Sequence, residues 1–204
     1  MNIWKKSNLH NIKNKKISYQ SFDSSVWKKI ILKKIKINLN RLNNNFTKYF
    51  LASSPLPLIL LNYDKRVIDI ADYGSGDQEI LFQLINLKKR NTKINIDSIE
   101  VPGITKLLKK KIKKNIFRNI KINFINEFNF KKKYDLVHIS DSLQYNLNWK
   151  DFLKRVISKK HNFIILNNLT AGNFNTYITE QKFYKKKLPY IFFNEKEVKT
   201  LFKS

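Results

Sequence analysis

From Arg66 onward, short apolar runs alternate along the chain with stretches whose apolar residues recur every three or four positions. The runs Val67 to Tyr73, Ile94 to Val101, Ile120 to Ile125, Tyr134 to Ile139 and Asn162 to Leu166 are too short for helices and are predicted as strands. Helices are predicted between them. One covers Gln78 to Leu87, and one covers Ile104 to Lys114, with Ile104, Leu107, Leu108 and Ile112 on one face. A third covers Trp149 to Ser158, opened by Asn148 as N-cap with Asp151 three residues on, a near capping box. Strand and helix in alternation are the sequence form of βαβ units, so the expected architecture is α/β, a doubly wound and mostly parallel sheet. After Leu169 the alternation weakens. Tyr177 to Gln181 and Tyr190 to Phe193 read as late strands, and Glu195 to Phe202 as a terminal helix.

Ahead of the alternating region, Ser21 to Asn40 is amphipathic. Phe22, Val26, Ile30 and Ile37 fall at helical spacing, Asp23 or Ser24 offers an N-cap, and Trp27 adds bulk to the apolar face. This helical appendage is expected to cover the core that follows. Asn43 to Phe50 reads as a second short helix, ended by Ser53-Ser54-Pro55-Leu56-Pro57, where the prolines forbid continuation. Met1 to Tyr19 is basic with isolated apolar residues and is expected to be loosely ordered. The expected divisions are a basic arm over 1–20, an N-terminal helical segment over 21–62 and the α/β domain over 63–204.

Composition narrows the class. A chain of 204 residues that is 42% hydrophobic can bury a sizeable core. No apolar run approaches the roughly 20 residues of a membrane span. Lys5, Lys6, Lys13, Lys15 and Lys16 interrupt any apolar signal core, so the expected location is cytoplasmic. With no cysteine there is neither disulfide nor thiolate chemistry, and no metal-ligand spacing is present. Lysine and arginine number 41 against 15 acidic residues, a net charge of +26 that invites nucleic acid. Only five of the 41 are arginine, the residue suited to bidentate phosphate recognition. The excess is lysine, accompanied by many Asn and Ile, which is what a coding bias toward A and T produces. A solvated lysine-rich surface is therefore the favoured reading, with nucleic acid a lesser alternative.

Chemistry concentrates after the first strand. The chain has four glycines, and two, Gly74 and Gly76, follow Asp72 in the order Asp-x-Gly-x-Gly. A glycine turn between a buried strand and a helix is where α/β proteins hold nucleotide-like cofactors, although such a turn is also often merely structural. A dinucleotide Gly-x-Gly-x-x-Gly fails because its third glycine falls on Glu79, and a Gly-x-Ser-x-Gly elbow fails at Tyr73. Glu100, 24 residues after Gly76, ends the second strand where a carboxylate can accept both ribose hydroxyls. His138 lies inside the fourth strand and reads as a core or sheet-face histidine more readily than as a base.

Asp72-x-Gly-x-Gly76 resembles motif I of the class I S-adenosylmethionine (SAM) methyltransferases, and Tyr134-Asp-Leu-Val-His-Ile-Ser-Asp-Ser-Leu-Gln-Tyr145 looks like their motif IV. Together with Glu100-Val-Pro102, Ile178-Thr-Glu-Gln181 and Leu188-Pro-Tyr-Ile-Phe-Phe193, the set resembles a small family assigned as methyltransferases and associated with bacterial surface-polysaccharide genes. The likeness spans roughly Phe22 to Phe202. It implies a Rossmann-like fold, SAM as cofactor, and a small-molecule or glycan acceptor. Asp72, Gly74, Ser75, Gly76, Glu100 and Ser140 would then bind the cofactor, and Asp141, Tyr145 and Glu180 would be catalytic. Gln144 and Tyr177 are expected to complete the acceptor wall. Asp77 and Gln78 depart from the family's glycine loop, where the third glycine would stand at 78. Two rivals stay open: a basic RNA-binding protein or RNA methyltransferase, and a degenerate methyltransferase fold serving as an interaction module, which Gln78 favours.

Overall fold

The computed structural model describes residues 4–6, 22–43, 55–85, 92–112, 119–184 and 186–203. Its strands are β1 (Trp4–Lys6), β2 (Val67–Tyr73), β3 (Lys93–Ile99), β4 (Ile120–Ile125), β5 (Leu136–Ser140), β6 (Phe163–Asn167), β7 (Ala171–Gly172), β8 (Tyr177–Phe183) and β9 (Lys186–Asn194). Its helices are α1 (Ser25–Asn43), α2 (Leu56–Asn62), α3 (Glu79–Ile85), α4 (Pro102–Lys111), α5 (Trp149–Ile157) and α6 (Glu195–Leu201). Five strands form one sheet in the order β4-β3-β2-β5-β6, and every neighbouring pair is parallel. This is the doubly wound, Rossmann-like arrangement expected from the alternating pattern. The strand order reverses between β2 and β5, so the C-terminal ends of these two strands frame the switch point where such sheets bind ligands.

Alternation along each strand divides the core between the two faces of the sheet. Ile68 and Ile70 of β2, Ile94 and Ile96 of β3 and Leu136 of β5 join Ile31, Ile35, Ile80, Leu84, Ile104 and Leu108 from α1, α3 and α4. Ala71, Val137 and Ile139 join Phe152, Leu153 and Val156 of α5 and Ile191 and Phe193 of β9. No helix among the described residues is long and apolar enough to cross a membrane.

The helical appendage covers the core through a different stripe from the expected one. Ile31, Ile35 and Asn38 of α1 are buried, whereas Val26 and Ile37 are exposed. Ile31 and Ile35 join the cluster formed by α3, α4 and the sheet, and that tertiary packing, which spacing alone does not show, sets the buried stripe. Ser24 is the N-cap in function, its Oγ accepting from the Trp27 N–H at 3.2 Å. The prolines after Ser54 open a further helix, α2, because Pro57 sits in the first turn, where a missing N–H costs nothing. The helix expected over Asn43 to Phe50 lies outside the described residues beyond Asn43. The near capping box at Asn148 does not form: its side chain makes no cap bond. Instead Asn146 Oδ1 accepts from the Asn148 N–H at 3.0 Å.

The late strands build a second sheet in the order β1-β8-β9-β7. β8 and β9 form an antiparallel hairpin, and Trp4–Lys6, within the expected basic arm, pairs antiparallel with Thr179 to Gln181.

Candidate active site

The glycine turn leaves β2 with Gly74 at φ +73° and Gly76 at φ +45°, both left-handed. A Cβ on Gly74 would stand 2.3 Å from Ser142 Cβ, so only glycine lets the turn after β5 close onto it. Ser142 Oγ completes that contact by donating to the Tyr73 carbonyl at 2.8 Å. Gln78, where the third glycine was missed, has φ +64° and supplies the same left-handed turn. Its side chain is buried and directed into the protein, with Nε2 donating to Ser98 Oγ at 3.0 Å, while Ser98 Oγ lies 2.7 Å from Ser75 Oγ. The departure at 78 therefore keeps the turn's shape and leaves Gln78 out of the cleft lining.

Above this turn lies a cleft of about 1580 Å³, opening at the C-terminal ends of β2, β3 and β5. Asp72, Gly74, Ser75, Gly76, Glu100, Ser140, Asp141 and Tyr145 all line it, so eight of the site residues expected from sequence converge. Glu100 bridges two loops: Oε1 accepts from the Gly76 N–H at 2.7 Å and Oε2 from the Val101 N–H at 3.0 Å. Burial pushes its carboxyl up to about 7, against the pull of those two amides, with Asp72 and Asp77 adding to the rise. Burial likewise raises Asp77, moderated by Lys34, whose Nζ lies 3.3 Å away.

Asp72 and His138 are register partners on β2 and β5, and Asp72 Oδ1 lies 2.8 Å from His138 Nδ1. His138 is buried, as read from sequence, but it also lines the cleft. Its position within the strand concealed this, because the parallel pairing that brings Asp72 alongside is a tertiary fact.

On the far wall, a 3-10 turn at Leu143–Tyr145 follows β5. Tyr145 OH donates to Gln181 Oε1 of β8 at 2.9 Å, and burial pushes its phenol well above the ordinary range. Asp141, exposed and held at φ +49°, accepts from Asn168 Nδ2 at 2.9 Å. The rings of Phe22 and Trp27 from the α1 end pack on Phe183, and Tyr145 packs edge-on against Phe22 and Tyr190. Glu180 is not part of this wall. Strand alternation turns Gln181 and Phe183 toward the cleft and Glu180 away, where Lys187 Nζ lies 3.3 Å from its carboxylate. Tyr177, at the far end of β8, stacks on Phe192 at 5.0 Å and also lies outside the lining.

The charge of the cleft opposes that of the chain. Asp72, Asp77, Glu79, Asp97, Glu100, Glu127 and Asp141 line it, seven of the 15 acidic residues. Among the described residues only Lys34, Lys131 and Arg155 of the 41 basic ones do so. Such a lining favours a cation over a polyanion.

Fold and site together define a doubly wound α/β protein with an acidic ligand cleft at its switch point. No family model matches the chain, and no curated protein matches it. Solved structures of similar shape include a protein from Listeria monocytogenes assigned as an S-adenosylmethionine-dependent methyltransferase. It is 14% identical with a TM-score of 0.49, over 74% of this chain and 82% of that one. An S-adenosylmethionine-dependent methyltransferase from Clostridium acetobutylicum is 13% identical with a TM-score of 0.42, over 81% and 86%. The plantazolicin methyltransferase BpumL is 19% identical with a TM-score of 0.43, over 83% of this chain and 58% of that one.

Proposed function

We propose that this protein is a SAM-dependent methyltransferase acting on a small polar or sugar-type acceptor. The observation that supports it most is the acidity of the cleft around a glycine turn. SAM is a sulfonium cation, whereas a dinucleotide would set its pyrophosphate near Asp77 and Glu79, against like charge. RNA phosphates would meet the same repulsion.

The residues present fit the cofactor. Each Glu100 oxygen keeps a lone pair beside the one it gives to a backbone amide, enough for the two hydroxyls of a ribose. Gly74, Ser75 and Gly76 bring bare backbone to the cleft, and Asp72 and Ser140 border it on the β5 side. Bound SAM supplies an electrophilic methyl group for in-line displacement. The chain's contribution is alignment and exclusion of water, which for such a displacement supply most of the barrier reduction. The rings of Phe22, Trp27, Phe183 and Tyr190 offer an apolar wall for the acceptor's body. Tyr145 stays protonated at neutral pH, so it orients the acceptor as a hydrogen-bonding group. Asp141 lines the cleft, and to it we assign removal of the acceptor's proton.

Titration calorimetry tests the cofactor. SAM and its demethylated product SAH should bind the folded protein and NAD should not. Glu100→Ala should weaken binding by about 1–3 kcal/mol, the loss for hydroxyls left unpaired. Absence of SAM binding, or undiminished binding by the variant, rejects the reading.

A further inference from the structure

Helix α1 carries more apolar surface than the core takes. Ile31 and Ile35 enter the cluster on one face of the sheet, whereas Val26, Ile30 and Ile37, which spacing alone had marked for burial, do not. Val26 is 45% exposed and Ile37 39%, with Ile30 half-buried between them. At 3.6 residues per turn these three fall on a strip about 40° wide that runs about 16 Å along the helix. Single exposed apolar side chains are ordinary, but three in register on a convex helix face form a strip that suits a partner.

The charges beside the strip say which partner. α1 holds five lysines, one arginine and no acidic residue. Lys28 and Lys34 are paired with Asp23 and Asp77. Lys29, Lys33 and Lys36 are exposed, form no ion pair among the described residues, and fill the next 60° or so of the helix surface, about 60° by the same geometry. A lipid surface with anionic headgroups answers both features. Aliphatic side chains enter the boundary between headgroup and acyl chain, and lysine stems lie along it with their ammonium groups on the phosphates. A nucleic acid would satisfy the lysines but offers no apolar depth to valine and isoleucine, and the flank holds no arginine for bidentate phosphate contacts. The strip also has no aromatic side chain, the usual anchor of a protein interface.

We propose that the outward face of α1 docks this protein on an anionic membrane surface, with Val26, Ile30 and Ile37 entering the headgroup region and Lys29, Lys33 and Lys36 meeting lipid phosphates. The same helix contributes Trp27 and Lys34 to the cleft lining, so docking brings the rim of the cleft to the lipid. The inference does not depend on which ligand the cleft holds.

Co-sedimentation with vesicles tests it. At physiological salt the full chain should sediment with vesicles of equal parts phosphatidylglycerol and phosphatidylcholine, and not with pure phosphatidylcholine. A net charge of +26 draws the chain toward any anionic surface, so the effect must be traced to α1. Lys29→Gln, Lys33→Gln and Lys36→Gln combined should lower affinity about 100-fold, and Val26→Ser with Ile37→Ser about 10-fold. Lys154→Gln, Lys159→Gln and Lys196→Gln remove the same charge in and around α5 and α6, which pack on the other face of the sheet, and should lower it less than about threefold. All these positions are exposed, so the variants should keep the fold, which circular dichroism checks. Equal losses from the two lysine sets, undiminished binding by the Val26 and Ile37 variant, or a wild type that ignores anionic vesicles overturns the proposal. RNA binding weakened by the α1 lysine set while vesicle binding is unchanged assigns the surface to nucleic acid instead. A second readout tracks depth. The chain has no cysteine, so Ile37→Cys takes a single environment-sensitive fluorophore whose emission should shift to the blue on anionic vesicles, and the same dye at Ser158→Cys beyond α5 should not shift. An unshifted emission at position 37 while the chain sediments overturns the proposal.

Discussion

Glu100 is the residue whose protonation reports most directly on the site. Its carboxyl is raised from 4.5 to about 7 by burial. The folded chain therefore holds a proton that the unfolded chain releases, and this group withdraws stability as pH rises from about 4.5 to 7. Urea melts across that interval should show wild type losing stability relative to Glu100→Gln as pH rises. A pH-independent difference would contradict the assignment. Two hydroxyl donors need the ionised form, so SAM affinity should climb through pH 7 and level off above it, and Glu100→Gln should flatten the climb. At this scale the sequence was informative about position where a residue stands at a strand end, as with Asp72, Glu100 and Asp141, all of which line the cleft. It misled at Glu180, where the phase of strand alternation decides which way a side chain points, and phase is set by pairing with β9. His138 was read only as a core histidine, since nothing local says that β2 lies alongside it, whereas Gln144 was expected beside the cleft and lines it.

Among the elements, α1 joins the core to the cleft. Ile31 is 1% exposed in the core, and its Cδ1 lies 3.7 Å from where a Cβ on Gly76 would be. Ile31→Ala should cost about 2–5 kcal/mol of stability, measured by chemical denaturation, and should weaken SAM binding as the turn loses its support. Full stability in that variant would mean that α1 does not pack as described. β2 and β4 fall on the same residues as read from their apolar runs; β4, at the sheet edge, keeps the run legible by alternating buried Ile122 and Phe124 with exposed Lys121 and Asn123. The second sheet was not legible as a sheet. β8 carries Glu180 and Lys182 and β9 carries Lys187, and such charge-bearing strands are fixed by pairing with partners that the local sequence does not reveal. α2 was hidden by its prolines, whose usual meaning reverses in a helix's first turn.

Taken whole, the molecule places opposite charges in different surroundings: +26 over the chain, and a cleft dominated by carboxylates. These should separate in salt. RNA affinity at physiological salt should stay in the nonspecific range, about 10⁻⁴–10⁻⁶ M, and fall steeply as salt rises. SAM affinity should change little, because buried charges are poorly screened. Tight, sequence-selective RNA binding at that salt would instead promote a nucleic-acid role. The cleft wall has a further consequence. It is closed by Phe22 and Trp27 near one end of the chain meeting Phe183 near the other, with Tyr145 between them. During synthesis β2 through β6 emerge before β8 and β9, so the parallel sheet and its glycine turn can assemble on a growing chain that has no finished cleft. Contacts so distant in sequence are late to form and carry the largest loop-closure cost. Acceptor capture then waits for β8 and β9, and a nascent protein stalled before β8 would carry the glycine turn and Glu100 yet lack the acceptor's wall.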